Sequence, residues 1–511
     1  MKSLINKIIA GIVLVSIGAC SLEEEPYGIV TSDQFYQTEE DVRAALAHAY
    51  DALSTIEYYG RYLYYVGVLG TEEFTLKADA QPADHELDNW NPIGTNLVLS
   101  SVYFNAYMGI NRVNLLLSRV DESIPMIDEE RNQILGEAQF LRALHHFNLV
   151  RVFGEVPMRD TPILSVEDIP KAKSTIADLY AFIEKDLLAA ELMMKDIDPG
   201  DLISKDARAT KVSAQALLAK VYLHQASSSA SGAAGYEYVV DANEYYDNAA
   251  LYAEKVLNNS AGYEFWSETN DYKSLWDVDN QVGNEFIFSI GAQVSGGENG
   301  NDWSSISMLQ VPALGGTTIE FGADNVSISD GWGHLTTEIP FYNQVFGDRN
   351  DLRSTDLIVD EVTLLDGTIS TYPGNLPYPF TLKYIDKGQQ ADRSNHYLPV
   401  IRYTDIALVY AEASGPTTEA YDWVNRIRNR ATVASERPNN LVSGLSTEEF
   451  REEVFMERTK ELAFEGERLF DLRRTNKVRE VLEGQYGKIV GQYADFYEIP
   501  QNEQDLNSLI E

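Results

Sequence analysis

Two helix-length stretches near the middle of the chain carry small residues where neighbouring helices must meet, and this limits the fold more than any other feature. Val212, Ala216, Ala219 and Leu223 recur at helical spacing, and after a Ser/Gly/Ala loop over 227–235, Tyr246, Ala250, Ala253 and Leu257 do so again. Alanines at the contact allow two antiparallel helices to pack closely. That is the logic of a tetratricopeptide hairpin, although the full repeat signature is absent. Helical periodicity fills much of the remaining chain. Thr38 and Asp41 form a capping box ahead of 42–53. The stretch 98–120 places Tyr103, Tyr107, Ile110, Val113 and Leu117 on one face. A further helix over 129–153 stops at Gly154 with Pro157 beyond, and Thr175 and Asp178 cap a segment reaching Met194.

From 262 to 395 the pattern changes. Gly, Asn, Asp, Ser and aromatics increase, a short strand is expected over 285–290, and Asp366-Gly367 reads as a hairpin turn between 359–365 and 368–372. Helices resume at Arg402, and Ser446 with Glu449 caps a last long helix running to about Arg474. The expected fold is mostly α: a tetratricopeptide-like helical-pair scaffold over 37–261 and 396–485, with a loop-rich insertion over 262–395 containing short β-hairpins. Residues 37–511 are read as a single domain. Long ordered loops on a rigid scaffold are where binding residues usually sit.

A chain of 511 residues with 44% hydrophobic and 11% aromatic content has ample material for a core. Its formal charge of −39, from 79 acidic against 40 basic residues, lacks the cation excess that releases phosphate counterions, so nucleic acid is not an expected partner. The same charge favours a neutral ligand over a strongly anionic one.

The single cysteine, Cys20, excludes an intrachain disulfide and a cysteine-based zinc site. Its position is informative. Lys2 and Lys7 precede a short apolar run over 8–19, and Ile17-Gly18-Ala19 puts small residues just before the thiol. The run is too short for a membrane-spanning helix and has the flanks of an export signal. Residues 1–19 are therefore expected to be a lipoprotein signal peptide and Cys20 the lipidated residue, with 20–36 as tether and extended N-terminal segment. Acyl chains contribute ~0.8 kcal/mol per buried methylene, so two or more hold a globule at a membrane.

Several segments together resemble the SusD/RagB family of outer-membrane nutrient-binding lipoproteins of Bacteroidota. They are "CSLEEEPYGIVTSDQFYQTEEDVRAALAHAYDAL" from Cys20, "GEAQFLRALHHFNLVRVFGEVP" from Gly136, "RYTDIALVYAEA" from Arg402 with "VNRIRNRA" after it, and "ERTKELAFEGERLFDLRR" from Glu457. Gln139 and Asp405 stand where the family often has Arg and Glu. The resemblance implies a helical platform of four tetratricopeptide-like pairs, no catalysis and no cofactor. It also implies a SusC-like TonB-dependent transporter as partner, and attachment to the outer membrane through the lipid, with Glu23-Glu24-Glu25 resembling a surface-export tag.

Glu457, Glu461, Glu465 and Arg468, at spacings of four, four and three, are expected on one helix face. A carboxylate pair for glycoside hydrolysis is one reading. An ion network locking helices together, with cations drawn from Arg458, Arg473 and Arg474 or from Arg426, Arg428 and Arg430, is the preferred one. His145-His146 cannot both meet one metal well from a helix and lie outside any H-E-x-x-H motif, so packing is expected of them and no metal site is assigned. Gly296-Gly297-Glu298-Asn299-Gly300 is read as a plain loop.

Sugar rings present apolar C–H faces that stack on indole or phenol, with a rim of hydroxyls suited to Asn, Asp, Gln or Arg. Burying ~50 Å² contributes roughly 1 kcal/mol, so a polymer needs several such platforms. Two regions have this mixture: 58–91, with Tyr58, Tyr59, Tyr62, Tyr64, Tyr65 and Asp88-Asn89-Trp90-Asn91, and 266–332, with Tyr272, Trp276, Trp303 and Trp332. Trp90 and Trp303 in polar loops are the leading candidates, with Asn89, Asn91 and Asp302 as rim contacts and Trp332 and Tyr272 beside them. The function expected is capture of oligosaccharides at the cell surface and delivery to the transporter. Peptide or other nutrient binding by a RagB-like protein, and a surface glycoside hydrolase, are the alternatives.

Overall fold

The computed structural model describes residues 35–196, 208–266, 272–281, 284–295, 303–322 and 326–510. Cys20, Asp302 and the 296–300 loop lie outside them. Helices α1 (Glu39–Ser54) and α2 (Tyr62–Val68) lead through β1 (Phe74–Leu76) to α3 (Pro82–Asp88). Long helices follow: α4 (Leu97–Arg119), α5 (Asp128–Phe153), α6 (Ile176–Met193), α7 (Lys211–Ser231) and α8 (Ala242–Leu257).

Local chemistry explains the boundaries. Thr38 and Asp41 form the reciprocal capping box, Thr175 accepts the Asp178 N–H, and Gly154 at φ 69° ends α5. Helix α5 is buried on every side from Phe140 to Phe153, so it forms the axis on which its neighbours pack. In the α7–α8 pair Ala216, Ala219, Ala249 and Ala253 are fully buried. Helix α7 runs four residues past the expected loop start, because Ser227 and Ser228 pack in the interior. The Ser227 hydroxyl donates back to the Leu223 carbonyl, and Gly232 in the left-handed region ends the helix.

The insertion holds β2 (Phe286–Ile290), α9 (Ile306–Gln310), β3 (Thr318–Phe321), β4 (Val326–Ser329), β5 (Leu335–Thr337), α10 (Ile339–Val345) and α11 (Arg353–Asp356). After these come β6 (Ile358–Val359), β7 (Glu361–Leu364), β8 (Ile369–Thr371), β9 (Phe380–Thr381) and β10 (Leu398–Arg402). The expected strand and the Asp366-Gly367 hairpin are present, with Gly367 at φ 82° and β7 antiparallel to β8. Strands β4-β3-β7-β8 form the largest sheet. Two other pairings tie the insertion to the scaffold: β1 with β5, and β2 with β10. One apolar core runs from Val42 to Ile510 and takes in Ile287, Phe288, Leu309 and Phe341 of the insertion.

The closing helices are α12 (Tyr403–Ser414), α13 (Thr418–Arg430), α14 (Thr447–Glu461), α15 (Arg468–Arg474) and α16 (Gln501–Leu506). Here the structure corrects the sequence reading: the last long helix ends at Glu461, not near Arg474. Phe464 and Gly466 take positive φ, and Lys383 of the insertion donates to the carbonyls of Glu461 and Ala463, satisfying groups the helix leaves open. Glu465 and Arg468 therefore lie beyond the helix that carries Glu457 and Glu461. No described helix is long and apolar enough to cross a membrane.

Candidate functional site

The carboxylate stripe is the interior of an ion network. Glu457 meets Arg353 at 2.7 Å and Arg428 at 3.0 Å, Glu461 meets Arg430 at 2.6 Å, and Glu465 meets Arg402 at 2.8 Å and Lys383 at 2.7 Å. Three of these cations, Arg353, Lys383 and Arg402, come from the insertion and its last strand. Burial opposes ionisation of Glu461, yet Arg430, Arg402 and Arg353 hold its carboxyl down to about 2. Asp405 serves the same purpose in α12, pairing Lys220 and Arg458 at 2.7 Å each. A hydrolytic pair needs carboxyls facing an open cleft. Glu457 and Glu461 are 2% and 1% exposed and fully paired, which makes them structural.

His145 and His146 are packing residues as well. Both are fully buried, and burial pushes their rings down to about 3 and about 4. Tyr58 reaches His145 Nδ1 at 3.3 Å, and the Arg159 amide donates to His146 Nε2. Among the described residues no group of three or more His, Cys, Asp and Glu is placed to hold a metal ion.

Two predicted platforms are corrected. Trp90 is 2% exposed; its indole N–H donates to the Gly70 carbonyl at 2.9 Å, and its backbone abuts Gly491. Its polar neighbours misled, since Asn89 and Asn91 do stay exposed on the turn after α3, with the Asn89 amide spent on the His85 carbonyl. Tyr272 is 3% exposed and donates its hydroxyl to Glu461, so it belongs to the ion network. Trp90 and Trp303 thus do not form a common platform.

Trp303 and Trp332 are both partly exposed and lie at the two sides of α9. Trp303 lies three residues before its start, while the Trp332 amide donates to the Met308 carbonyl at 2.8 Å. The register of β1 against β5, with Leu76 opposite Leu335, sets Lys77 beside His334 and lets Lys77 Nζ donate to the Trp332 carbonyl. Arg61, just before α2, spans the two sides: Nε and a terminal nitrogen donate to Ser305 Oγ at 3.1 and 2.9 Å, and the guanidinium carbon lies 5.5 Å from the Trp332 ring centre.

On the other side a bridge between Ser304 and Ser394 carries Arg393 over Trp303, 5.1 Å from its ring centre. Asp386 holds that loop in shape by accepting from the amides of Gly388 and Asn395 at 2.6 and 2.7 Å. Its far face walls a cleft of about 370 Å³ lined by Lys273, Trp276, Asp277, Lys387 and Asn395.

Next to Arg61, Tyr62 stacks on Tyr65 with 6.2 Å between ring centres, and burial pushes the Asp84 carboxyl up to about 6 despite the nearby guanidinium. Trp332 thus has Arg61, Lys77 and His334 beside it and Trp303 has Arg393, with Arg61 linking the two through Ser305. Sequence reasoning found both tryptophans and missed Arg61, Lys77 and Arg393, and also His334, whose imidazole pKa burial pushes down. Arg61 and Lys77 fall inside the first aromatic-rich region, while His334 and Arg393 lie outside both regions.

Comparison with known proteins bears on this geometry. Residues 363–507 match the family model described as "SusD family", and 22–223 match one described as "Starch-binding associating with outer membrane". SusD-like protein P2 of Formosa agariphila is 27% identical over 504 residues, covering 92% of this chain and 90% of its own. SusD-like protein P38 of the same organism is 27% identical over 505 residues, covering 94% of each. A solved laminarin-binding SusD-like protein superposes with TM-score 0.75 at 24% identity, over 93% of this chain and 99% of its own. Surface glycan-binding protein A from Bacteroides uniformis does so with TM-score 0.71 at 20% identity, over 93% and 99%. These structures share the fold.

Proposed function

The chain belongs to the SusD/RagB family, and on that premise we propose that it is a binding protein which captures oligosaccharides on the face formed by Trp303 and Trp332. The observation that carries this reading is the pair of half-open indoles held at the two sides of α9 by contacts from three separate parts of the chain. Preorganised flat rings lose little freedom on binding, so weak stacking contributions survive as affinity. The names of the laminarin-binding and surface glycan-binding neighbours support carbohydrate as the ligand class. Their description as binding proteins supports a role without catalysis, in keeping with the sealed carboxylate network.

Outer-membrane association is supported by the description of the N-terminal family model, and lipidation at Cys20 by the export-signal pattern before it. Delivery of the captured glycan to a SusC-like TonB-dependent transporter completes the proposal. It rests on the family's resemblance alone.

Native affinity electrophoresis of the mature protein through gels containing single polysaccharides tests the capture. Retardation by at least one glycan is expected, and it should be lost in Trp303→Ala and reduced in Trp332→Ala. Indifference to every glycan, with binding of peptides instead, would replace this reading by the RagB-like one.

A further inference from the structure

We infer that the face around Trp303 and Trp332 recognises an acidic glycan, one carrying carboxylate or sulfate groups, and that Arg61 and Arg393 are its oxyanion contacts. The inference deepens the proposed capture of oligosaccharides and rests on that reading.

In a chain with 79 acidic and 40 basic residues, a buried or half-buried arginine normally finds a carboxylate. Arg353, Arg402, Arg428, Arg430, Arg458, Arg468 and Arg474 all do. Arg159, Arg437, Arg451 and Arg473 spend their donors on backbone carbonyls instead, and Arg426 lies over Trp423. Arg61 and Arg393 do not find a carboxylate either. Among the described residues neither forms an ion pair. Arg61 gives two donors to a neutral hydroxyl, that of Ser305, and Arg393 offers only its backbone N–H to the Gln390 carbonyl. A guanidinium has five donors, so among the described residues most of the hydrogen-bonding capacity of this pair is unspent.

Both arginines lie over the ring of a tryptophan proposed to stack on sugar. Stacking fixes the plane of the fork and lowers the entropy lost when an oxyanion is gripped by two parallel N–H groups. Among the described residues the acids around Arg61 do not close on it: Asp79 pairs with Lys77 at 3.4 Å, and Asp84, although its carboxyl feels the Arg61 charge, is buried and makes no ion pair with it. Asp392, adjacent in sequence to Arg393, forms no ion pair with it. Lys77, paired with Asp79, and His334, whose imidazole pKa burial and the neighbouring cations push down, complete the surroundings of Trp332.

The overall charge of −39 favours a neutral ligand, but at physiological ionic strength charges farther apart than ~8 Å are largely screened. The groups within reach of the sugar weigh most in its charge preference, and the arginines over the two indoles are among them.

The test compares three gels: laminarin as the neutral glucan, polygalacturonate for carboxylate and a sulfated galactan for sulfate. Each is run at low and high salt with wild type, Arg61→Gln, Arg393→Gln and Trp303→Ala, with melting temperatures checking that each variant folds. Preferential retention by at least one charged polymer is expected, weakened by salt, with each arginine variant losing about tenfold or more in affinity. Which of the two charged gels retains the protein tells carboxylate from sulfate. Retention by laminarin that is lost in Trp303→Ala but unchanged in both arginine variants overturns this inference and leaves the capture of glycans standing. Retention by a charged polymer that neither arginine variant weakens also overturns it. Retention by none of the three, and by no other glycan, overturns both.

Discussion

Glu73 shows how far burial outweighs solvation at a single residue. Its carboxyl is pushed up to about 8, chiefly by burial, with the neighbouring Glu72 adding to the effect and the Phe464 N–H opposing it. One oxygen accepts that N–H at 3.0 Å, and the other has no partner. The folded value lies above the ordinary one of 4.5. The group is therefore harmless below about pH 4.5 and destabilises the fold progressively as pH rises through 8. Glu73→Gln keeps the Phe464 contact and removes the titration. Its melting temperature should exceed that of wild type at about pH 9 and converge with it near pH 4.5, and a gap independent of pH would contradict this. Trp90 is the second such residue. Truncation to Ala should cost about 3–5 kcal/mol in denaturant unfolding while leaving glycan retention by the folded protein intact. Its interior position was not legible in the sequence, because the Gly70 carbonyl and the Gly491 backbone that enclose it come from opposite ends of the chain. The polar Asn89 and Asn91 on either side are exposed as expected, and only the ring between them turns inward.

At the scale of elements, features written in adjacent residues were readable and features set by distant partners were not. The capping boxes at Thr38 and Ser446, the Gly154 stop and the Asp366-Gly367 turn each depend on neighbours within a few positions. The end of α14 depends on Lys383, some eighty residues earlier, so helical spacing ran through it unnoticed. The ion network fits the same division. The Arg428 and Arg430 partners were accessible from helix spacing, whereas Arg353 and Arg402 were not. Removing Arg430 should test how tightly the network binds α13 to α14. Arg430→Met takes from Glu461 its shortest cation contact and leaves it with Arg402, Arg353 and Tyr272, a loss of roughly 3 kcal/mol, the low end for breaking a buried pair. Because the carboxyl of Glu461 is held down to about 2, the stability it supplies is present above pH 4.5 and lost as pH falls toward 2. The acid-unfolding midpoint of the variant, followed by circular dichroism, should therefore lie at higher pH than that of wild type. An unmoved midpoint would mean that Glu461 does not depend on Arg430.

For the molecule as a whole, the division between scaffold and insertion is also a division of labour. Helical pairs around α5 supply stiffness, and the insertion supplies the ring-bearing loops, with the β1–β5 and β2–β10 pairings transmitting one to the other. The fold class was legible because helical periodicity and the change of composition at 262 are properties of long stretches. The composition of the proposed site was legible only by half: Trp303 and Trp332 stood out as residue types, but the cations around them are assembled by Ser305, Ser394 and the register of two short strands. A crystal structure of the mature protein with an oligosaccharide of the retained glycan would measure the site most directly. A pyranose ring stacked on Trp303 or Trp332, with a guanidinium of Arg61 or Arg393 at its rim, is the predicted result. A sugar seated in the cleft between Lys273 and Asn395, or anywhere else with both indoles uncovered, would contradict it.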